Sequence, residues 1–466
     1  MPHNEIVLRK ESFGGIIGRR DGYGFHVVNE AGYSLLTDPF VEFKKHSPEV
    51  LGSFYTQMRE YKFIDNDLIF RGHTINNYNI VPYLSAPIRV WLEVTGVCNL
   101  ACGECFNHNH KEFATDLSLE AIAEALDDLY ESGVLQLTIT GGEPLLRKDI
   151  WSILDHAFAL GFAVRFFTNG TTLNESNSLR LAEYPISHIF ASMDGTGSDN
   201  DLLRGIGTYP KIARGIERIA NRSSAVTLSV TLHAYSLRNL YQTFDLARAN
   251  GIRSLLIRPI LEYNRKNNPI AIEPKNLPKY LAELEAQSVR TGVEYQLNKL
   301  PFFQNEKAVF VHDRRSDVHF SYFSEHNQFG CVGGNTVVGI KSNGSIMACG
   351  FVDHPYISTG ESIGSRKFLD LWNNSPNVKV LRDRSGNSTC RNCHLLSVCG
   401  GGCRANAALH NGSLDAIDPY CFLGHPGLTP QNPEPRQPAT TSQGLSKAPS
   451  ISSRTIVTKC GSGSLL

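Results

Sequence analysis

The stretch CNLACGEC, residues 98–105, places three cysteines in a C-x3-C-x2-C pattern. The next cysteine along the chain is Cys331, so no fourth thiol lies near the triplet in sequence. Iron-sulfur clusters normally take four cysteine ligands, and a triplet therefore leaves one iron open to another ligand. The alternative is a structural zinc site, which requires a fourth protein ligand. We expect the chemistry of the protein to begin at the open iron.

The composition of the 466-residue chain argues against several classes of protein. Its 45 basic and 45 acidic side chains cancel, so no global charge attracts nucleic acid or an anionic membrane. No apolar run reaches the length of a spanning helix, and Met1–Lys10 lacks the apolar core of a secretory signal. We therefore expect a cytoplasmic protein without nucleic-acid or membrane partners. Thiols stay reduced there, and clustered cysteines favour metal ligation over disulfides.

Around the triplet, from about residue 88 to residue 261, short apolar strands alternate with amphipathic helices. The candidate strands are Ile88–Thr95, Val134–Thr140, Ala163–Thr168, Ser187–Met193, Ala225–Leu232 and Arg253–Ile260. A helix is predicted over Leu119–Glu131, with Ser118 as its cap and Gly133 just past its end. Six strands joined by helices predict an α/β fold with a parallel sheet and right-handed crossovers, either open or barrel-like.

The unusual residues of this region come where predicted strands end. The triplet follows the first strand, Gly141–Pro144 the second, Thr168–Gly170 the third, Ser192–Gly195 the fourth, and Arg258-Pro259 ends the last. In barrel-like α/β folds the carboxyl ends of the strands carry the active site. We expect these segments to meet in one site.

The triplet, followed one strand later by Gly141-Gly142-Glu143-Pro144, resembles the radical S-adenosylmethionine (SAM) superfamily. The resemblance implies a partial (β/α)6 barrel over residues 86–262. It also implies a [4Fe-4S] cluster on Cys98, Cys102 and Cys105, whose open iron is chelated by the methionine amino and carboxylate groups of SAM. Reductive cleavage of SAM would then give a 5'-deoxyadenosyl radical that abstracts hydrogen from a substrate. The barrel would supply position and exclusion of water.

The same resemblance implies a set of SAM contacts. The candidates are Gly141, Gly142, Glu143, Pro144, Asn169, Ser192, Asp194 and Arg204. Residues 141–144 would contact the methionine amino group, and Ser192 and Asp194 match positions that hydrogen-bond the ribose. The residue before the third cysteine is usually aromatic in this superfamily but is Glu104 here, so Phe106 is the candidate for the adenine contact.

A second group of cysteines follows far downstream. Its members are Cys331, Cys349, Cys390, Cys393, Cys399, Cys403 and Cys421. Together with Gly344 the spacing C-x12-G-x4-C, C-x2-C-x5-C-x3-C and a final C resembles the SPASM extension of radical SAM enzymes. A pair of zinc ribbons is the alternative for this array.

The SPASM resemblance implies two auxiliary [4Fe-4S] clusters, and thus three clusters in the chain. The first would be held by Cys331, Cys349 and Cys403. The second would be held by Cys390, Cys393, Cys399 and Cys421. The first auxiliary cluster would keep an open iron or take Asp317, His326 or a substrate atom as its fourth ligand.

The remaining segments divide the chain further. Residues 1–85 predict a small α+β module, with strands at Phe13–Ile17 and Gly24–Val28 and helical patterning from Asn29 through Leu36 and onward. The module resembles the winged-helix domains of peptide maturases, which add a leader peptide as an extra strand to an exposed edge; a cap without a ligand is the alternative. Residues 263–329 form a mostly helical bridging region, 330–423 the SPASM domain, and 424–466 a tail predicted to be disordered.

The leading hypothesis is a radical SAM enzyme that modifies a ribosomally synthesised precursor peptide, by crosslinking, epimerisation or backbone excision. A sulfatase-type formylglycine maturase is the alternative enzyme, and an iron-sulfur electron carrier or zinc-ribbon scaffold is the alternative outside the enzymes. The expected partners are the precursor peptide and a low-potential flavodoxin or ferredoxin reductant, with a separate peptide-recognition protein as a further candidate. No side chain is assigned as general base or radical quencher.

Overall fold

The computed structural model of the protein describes residues 6–19, 25–76, 83–103, 105, 116–233, 240–260, 272, 276–297, 332–350, 358–382, 388–391, 401–421 and 457–458. Their strands are β1 (Ile6–Glu11), β2 (Gly14–Arg19), β3 (Phe25–Asn29), β4 (His73–Ile75), β5 (Arg89–Glu93), β6 (Gln136–Thr140), β7 (Ala163–Thr168), β8 (His188–Ser192), β9 (Val226–Leu232), β10 (Ser254–Pro259), β11 (Glu294–Leu297), β12 (Val337–Ile340), β13 (Ser345–Met347), β14 (Ser358–Ser362) and β15 (Val457–Thr458).

The helices of the described residues lie between and beside these strands. They are α1 (Glu30–Thr37), α2 (Pro39–Glu42), α3 (Pro48–Glu60), α4 (Leu119–Glu131), α5 (Ile150–Ala159), α6 (Glu175–Glu183), α7 (Ser198–Arg204), α8 (Tyr209–Ala220), α9 (Leu240–Ala249), α10 (Leu277–Thr291), α11 (Phe368–Asn374), α12 (Pro376–Arg382), α13 (Ser388–Arg391) and α14 (Arg404–Asn411), with short 3-10 turns at Phe43–Lys45 and Pro144–Leu146. None of these helices has the length and apolarity that crossing a membrane requires.

Strands β5 to β10 form a parallel sheet in which each strand pairs with the next along the chain. All six lie within two residues of the predicted bounds, and α4 has the predicted ones. Ser118 Oγ accepts a hydrogen bond from the Ala121 N–H at 3.2 Å, and Gly133 has a φ of +81° just past the helix end. The predicted α/β fold with a parallel sheet is confirmed.

The alternation of side chains along β5 gives the sheet two different faces. Val90 and Leu92 belong to the main core, together with the apolar face of α4. Trp91, between them, belongs to a separate buried cluster that contains Cys349 and Cys403. Successive side chains of a strand point to opposite faces, so one face of β5 packs against the helices and the other faces Cys349 and Cys403.

The large sheet extends beyond the predicted strands on both sides. β11, from the predicted bridging region, pairs in parallel with β10, with Ser254 opposite Glu294. β12 pairs in parallel with β5 and continues into antiparallel β13 and β14, giving a sheet of ten strands. The predicted boundaries at residues 263 and 330 therefore do not divide the sheet, because segments on both sides of them contribute strands to it.

The amino-terminal module is built on its own five-stranded sheet, in the order β15-β3-β2-β1-β4. The two predicted strands correspond to β2 and β3, and α1 follows as predicted, capped by Asn29 Oδ1, which accepts from the Gly32 N–H at 2.9 Å. β1 was not predicted from the sequence. In the tail, Val457 pairs antiparallel with Val28 of β3. Of the tail 424–466 the structure describes only these two residues, Val457 and Thr458 of β15, and the disorder of the tail stays a prediction.

A buried ion pair attaches this module to the rest of the chain. Arg9 Nε and Glu11 Oε1 lie 2.6 Å apart, and both side chains are 1% exposed. Arg9 Nη1 donates to the carbonyl oxygens of Gly133 at 2.9 Å and Pro87 at 3.2 Å, and Glu11 accepts from the N–H of Ser85 at 2.8 Å. Because these groups are out of water and mutually bonded, removing one of them would leave a costly unpaired charge.

Candidate cluster and cofactor site

The three cysteines of the triplet line one open cavity at the carboxyl ends of the parallel strands. The lining residues are Cys98, Leu100, Cys102, Cys105, Thr140, Gly141, Gly142, Phe167, Thr168, Asn169, Ser192, Asp194, Leu203, Arg204, Thr231 and Arg258. Each of the strands β6 to β10 contributes its last or next-to-last residue to the lining, and the triplet follows β5. The fold thus brings together the strand-end segments that the sequence pointed to.

Six of the eight candidate SAM contacts line this cavity, and Glu143 and Pro144 do not. The sequence had also marked the end of β10 as unusual without assigning Arg258 to the site, and Arg258 lines the cavity. Phe167 was missed because an aromatic residue inside a strand is most often core. Glu104, which stands where an aromatic residue is usual, and Phe106, the candidate for the adenine contact, lie outside the described residues.

Burial disfavours the charged thiolate form of two thiols of the triplet, a form that a bound positive centre would stabilise. Burial raises the pKa of Cys98, and it raises the pKa of Cys102 to about 11, although the nearby charge of Arg204 opposes this shift. Iron binding must therefore displace protons from these thiols. Among the described residues, no three Cys, His, Asp or Glu side chains are grouped to hold a single metal ion. Three thiols distributed around a cavity fit a cluster with one open iron.

Gly141 and Gly142 bring the loop after β6 against the loop that carries the triplet. The Gly142 N–H donates to Thr95 O at 2.7 Å, and the Glu143 N–H donates to Val97 O at 2.8 Å. A Cβ on Gly141, whose φ is +144°, would lie 2.3 Å from Thr95 O, and a Cβ on Gly142 would lie 2.2 Å from Val97 O. The glycine pair is therefore required by the approach of two protein loops, besides any approach to a cofactor.

Glu143 lies fully buried behind the cavity wall. Its carboxylate accepts hydrogen bonds from the Asn169 N–H at 2.6 Å, Thr168 Oγ1 at 2.9 Å, and the Leu145 N–H and Thr172 Oγ1, both at 3.2 Å. Burial raises the pKa of Glu143 despite these bonds. Within the described residues this carboxylate serves the protein, because it fixes the segment that follows β7.

Asn169 connects the hydrogen bonds of Glu143 to the triplet loop. Its Nδ2 donates to Asn99 Oδ1 at 2.9 Å and lies 3.7 Å from Cys98 Sγ. The Asn99 Nδ2 donates in turn to Thr171 Oγ1 at 2.9 Å. The first cysteine of the triplet is thus held through a chain of contacts that begins at Glu143.

Asp194 and Arg204 form a buried ion pair on the opposite wall, with Arg204 Nη2 2.7 Å from Asp194 Oδ2. Asp194 Oδ1 accepts from the Thr231 N–H at 2.6 Å, which fixes the carboxylate. Burial acts to lower the pKa of Arg204, but the charge and hydrogen bond of Asp194, together with the nearby Cys102 and Cys105, outweigh it and the pKa is raised. Arg204 Nε has no acceptor among the described residues. A cation with a spare donor therefore lines the cavity beside the thiols.

Two of the downstream cysteines, Cys349 and Cys403, lie behind an aromatic pair. Cys349 and Cys403 are 6% and 7% exposed and share one buried cluster with Trp91. The Trp91 ring is 5.3 Å from that of Phe167, which lines the cavity. No described cysteine is in a disulfide. Cys390 and Cys421 are half-buried, and Cys331, Cys393, Cys399, Asp317 and His326 lie outside the described residues.

Asp418 organises the backbone around two of these cysteines. Its carboxylate accepts from the Cys403 N–H at 2.6 Å and the Tyr420 N–H at 3.0 Å, and the Cys421 N–H donates to Asp418 O at 2.8 Å. Burial raises the pKa of this carboxyl to about 6. The carboxylate therefore links segments from the two predicted auxiliary ligand sets.

Comparison with known protein families decides the assignment. Residues 92–254 match the radical SAM superfamily, and residues 331–394 match SPASM, an iron-sulfur cluster-binding domain. The chain carries a radical SAM domain and a SPASM domain. These two domains imply iron-sulfur clusters and the binding of SAM, and they support a radical SAM enzyme.

Curated relatives of this radical SAM protein include two kinds of enzyme. The chain is 28% identical over 370 residues to the mycofactocin maturase MftC of Mycobacterium tuberculosis, covering 78% of this chain and 90% of that relative. It is 24% identical over 350 residues to the AdoMet-dependent heme synthase of Methanosarcina barkeri, covering 74% of this chain and 98% of that relative.

Solved structures share the fold. SuiB of Streptococcus suis, bound to the precursor peptide SuiA, matches with a TM-score of 0.65 at 20% identity over 90% of this chain and 98% of SuiB. Native anSMEcpe with bound AdoMet matches with a TM-score of 0.58 at 18% identity over 73% of this chain and 96% of that structure. Residues 86–466 make up 381 of 466 positions, about 82%, so the SuiB match includes part of the amino-terminal module.

Proposed function

We propose that this radical SAM enzyme is a maturase that modifies a ribosomally synthesised precursor peptide. The observation that carries the proposal is the amino-terminal module, because the fold match to a peptide-bound SuiB extends into residues 1–85. The relation to MftC, a mycofactocin maturase, supports the same substrate class. A crosslink, an epimerised α-carbon and a backbone excision are all compatible with this scaffold, since one fold hosts many reactions.

Three clusters fit the cysteine sets of the chain. Cys98, Cys102 and Cys105 would hold the cluster that binds SAM. The first auxiliary set would be Cys331, Cys349 and Cys403. The second would be Cys390, Cys393, Cys399 and Cys421. The burial of Cys349 and Cys403 in one core cluster supports placing them in the same set.

SAM bound at the triplet would supply the carbon radical that hydrogen abstraction requires. Arg204, a buried cation on the cavity wall, suits the methionine carboxylate, and Gly141 and Gly142 offer backbone to the methionine amino group. Ser192 and Asp194 face the cavity where the ribose would lie. Asn169 would hold the triplet loop through Asn99, and Glu143 would act one step further away by fixing Asn169.

The peptide would dock on the amino-terminal module by strand addition, which uses main-chain hydrogen bonds of an edge strand. In the described residues β3 carries the short β15 on its outer side, so a peptide entering there would replace Val457–Thr458. The buried pair of Arg9 and Glu11 would keep the module at a fixed position relative to the barrel during this exchange.

A second substrate class is favoured by the heme synthase relative, whose name points to a tetrapyrrole substrate. One experiment distinguishes a peptide substrate from a tetrapyrrole substrate. We would co-express the full chain anaerobically with each short open reading frame flanking its gene and measure peptide masses, with Cys102→Ala as the inactive control. A mass change that requires Cys102 supports the peptide proposal. An unchanged peptide, together with turnover of coproporphyrin or an iron porphyrin by the purified enzyme, would contradict it.

A further inference from the structure

Arg404 follows Cys403 directly, and its charge has no role in the site described so far. It is the first residue of α14, for which Cys403 is the N-cap. Its side chain is 6% exposed, so the guanidinium lies inside the protein. Arg stays protonated in proteins, and a buried cation must be balanced by an anion or by hydrogen-bond acceptors.

The described residues satisfy only part of this guanidinium. Nη1 donates to the carbonyl oxygens of Leu414 at 2.7 Å and Ala416 at 2.9 Å. Nε and Nη2 are buried and have no acceptor in the described part of the chain. The buried carboxylate of Asp418 lies close enough for its charge to interact with that of Arg404, but it accepts hydrogen bonds from the backbone N–H groups of Cys403 and Tyr420 and supplies no acceptor to Nε or Nη2. Two buried donors of Arg404, Nε and Nη2, therefore lack an acceptor among the described residues.

The anion that suits these two donors is an iron-sulfur cluster held by Cys403, the residue directly before Arg404. Cys403 and Cys349 pack with the apolar side chains of Trp91 and Leu381. An iron-sulfur cluster bound there would bring thiolates and sulfides with a net negative charge. Cys403 also lies at the amino terminus of α14, whose dipole favours negative charge. Arg404 and the amino terminus of α14 therefore both lie beside Cys403, a proposed ligand of this cluster.

We propose that Arg404 is the buried positive charge that balances the auxiliary cluster held by Cys349 and Cys403, and that it raises the reduction potential of that cluster. Reduction adds one electron, and hence one negative charge, to the cluster. A fixed cation in a low-dielectric surrounding therefore favours the reduced form. The inference rests on the proposed ligand set, and Arg404 acts through the cluster without touching the substrate.

The chain offers a matched control. Arg391 follows Cys390 directly, as Arg404 follows Cys403, but its side chain is exposed. Water and salt screen an exposed charge far more than a buried one. Arg391→Met should therefore leave the potentials of the clusters nearly unchanged.

The test is an EPR-monitored redox titration of the anaerobically reconstituted full chain with dithionite. Cys98, Cys102 and Cys105 are replaced by Ala in every sample, so that only auxiliary clusters report. We expect Arg404→Met to change the ratio of reduced to oxidised cluster at least tenfold toward the oxidised form at a fixed potential. That change is a downward shift of about 59 mV for one electron. Arg404→Lys should restore most of it, because the positive charge returns.

The outcomes separate the claims. Arg404→Met with full iron and an unchanged potential, or an equal shift in Arg391→Met, overturns the role of Arg404. If Arg404→Met and Arg404→Gln lose the cluster, retention in Arg404→Lys supports charge balance, and loss in Arg404→Lys overturns it. Absence of any auxiliary signal, with iron well below about eight per chain in the parent sample, would instead reject the ligand set and with it the proposed function.

Discussion

Replacing Glu143 by Ala and by Gln separates support of the triplet loop from direct contact with SAM. In Glu143→Ala, four donors lose their acceptor. The hydroxyls of Thr168 and Thr172 can rotate to other partners, but the N–H groups of Asn169 and Leu145 cannot. A buried donor left unpaired costs about 1–3 kcal/mol, so we expect a loss of about 2–6 kcal/mol from the free energy of unfolding.

Glu143→Gln should behave differently. Its carbonyl oxygen can keep the bond to the Asn169 N–H, while its amide group donates to the two threonine hydroxyls. Only the Leu145 N–H then loses an acceptor, at about 1–3 kcal/mol, and relief of the buried charge offsets part of this. Because burial raises the pKa of Glu143 in the folded state, the folded chain holds more protons and wild-type stability falls as the pH rises from about 4.5 toward that raised value. The Gln variant lacks this slope.

Denaturant unfolding of the apo protein measures these differences, with Glu120→Gln on the exposed face of α4 as the control. SAM binding to the reconstituted enzyme measures the second role. A hydrogen bond from SAM to the Glu143 carboxylate would be worth about 1.5–3 kcal/mol, or about 10- to 150-fold in affinity. We expect Glu143→Gln to lose less than tenfold. A loss near 100-fold at full iron content, or a cost below about 1 kcal/mol for Glu143→Ala, would refute the supporting role.

Three further predictions test other parts of the account. Cys102→Ala should abolish SAM cleavage, measured as 5'-deoxyadenosine, while most auxiliary iron remains; retained cleavage would contradict the triplet assignment. Arg9→Met should cost about 3–5 kcal/mol in denaturant unfolding, because Glu11 is left buried and unpaired, and Arg9→Met with Glu11→Leu should recover part of that loss; equal stability of Arg9→Met and wild type would be the contrary result. Deleting residues 424–466 should speed hydrogen exchange in Phe25–Asn29, because β15 no longer pairs with β3; unchanged exchange would mean that this edge is not covered in solution.

The parallel sheet of β5 to β10 could be predicted from the sequence because periodicity and motif agree there. Each strand of β5 to β10 is a short apolar run bounded by turn residues, and α4 carries its own cap in Ser118. Gly141 and Gly142, in the loop after β6, line the cavity. Their contact with Thr95 and Val97 could not be predicted, because it depends on which loop the fold brings alongside.

The strands β1 and β15 were not predicted, because they contain charged residues or lie in a polar segment. β1 contains Arg9 and Glu11, which read as exposed residues, yet both are buried because they pair with each other and with the barrel. β15 lies in a segment of polar composition, but Thr455-Ile456-Val457-Thr458 is a run of β-branched residues, which are enriched in strands. Local sequence could not identify their pairing partners, since these lie far away along the chain.

The central claim is that the triplet holds a cluster whose open iron binds SAM. The most direct test is EPR spectroscopy of the dithionite-reduced, anaerobically reconstituted full chain with and without SAM, against a variant with Cys98, Cys102 and Cys105 replaced by Ala. We predict that SAM changes the spectrum of wild type and not of the variant, and that the variant contains about four fewer irons per chain. A spectrum that SAM leaves unchanged, or zinc without sulfide in the purified protein, would contradict the claim.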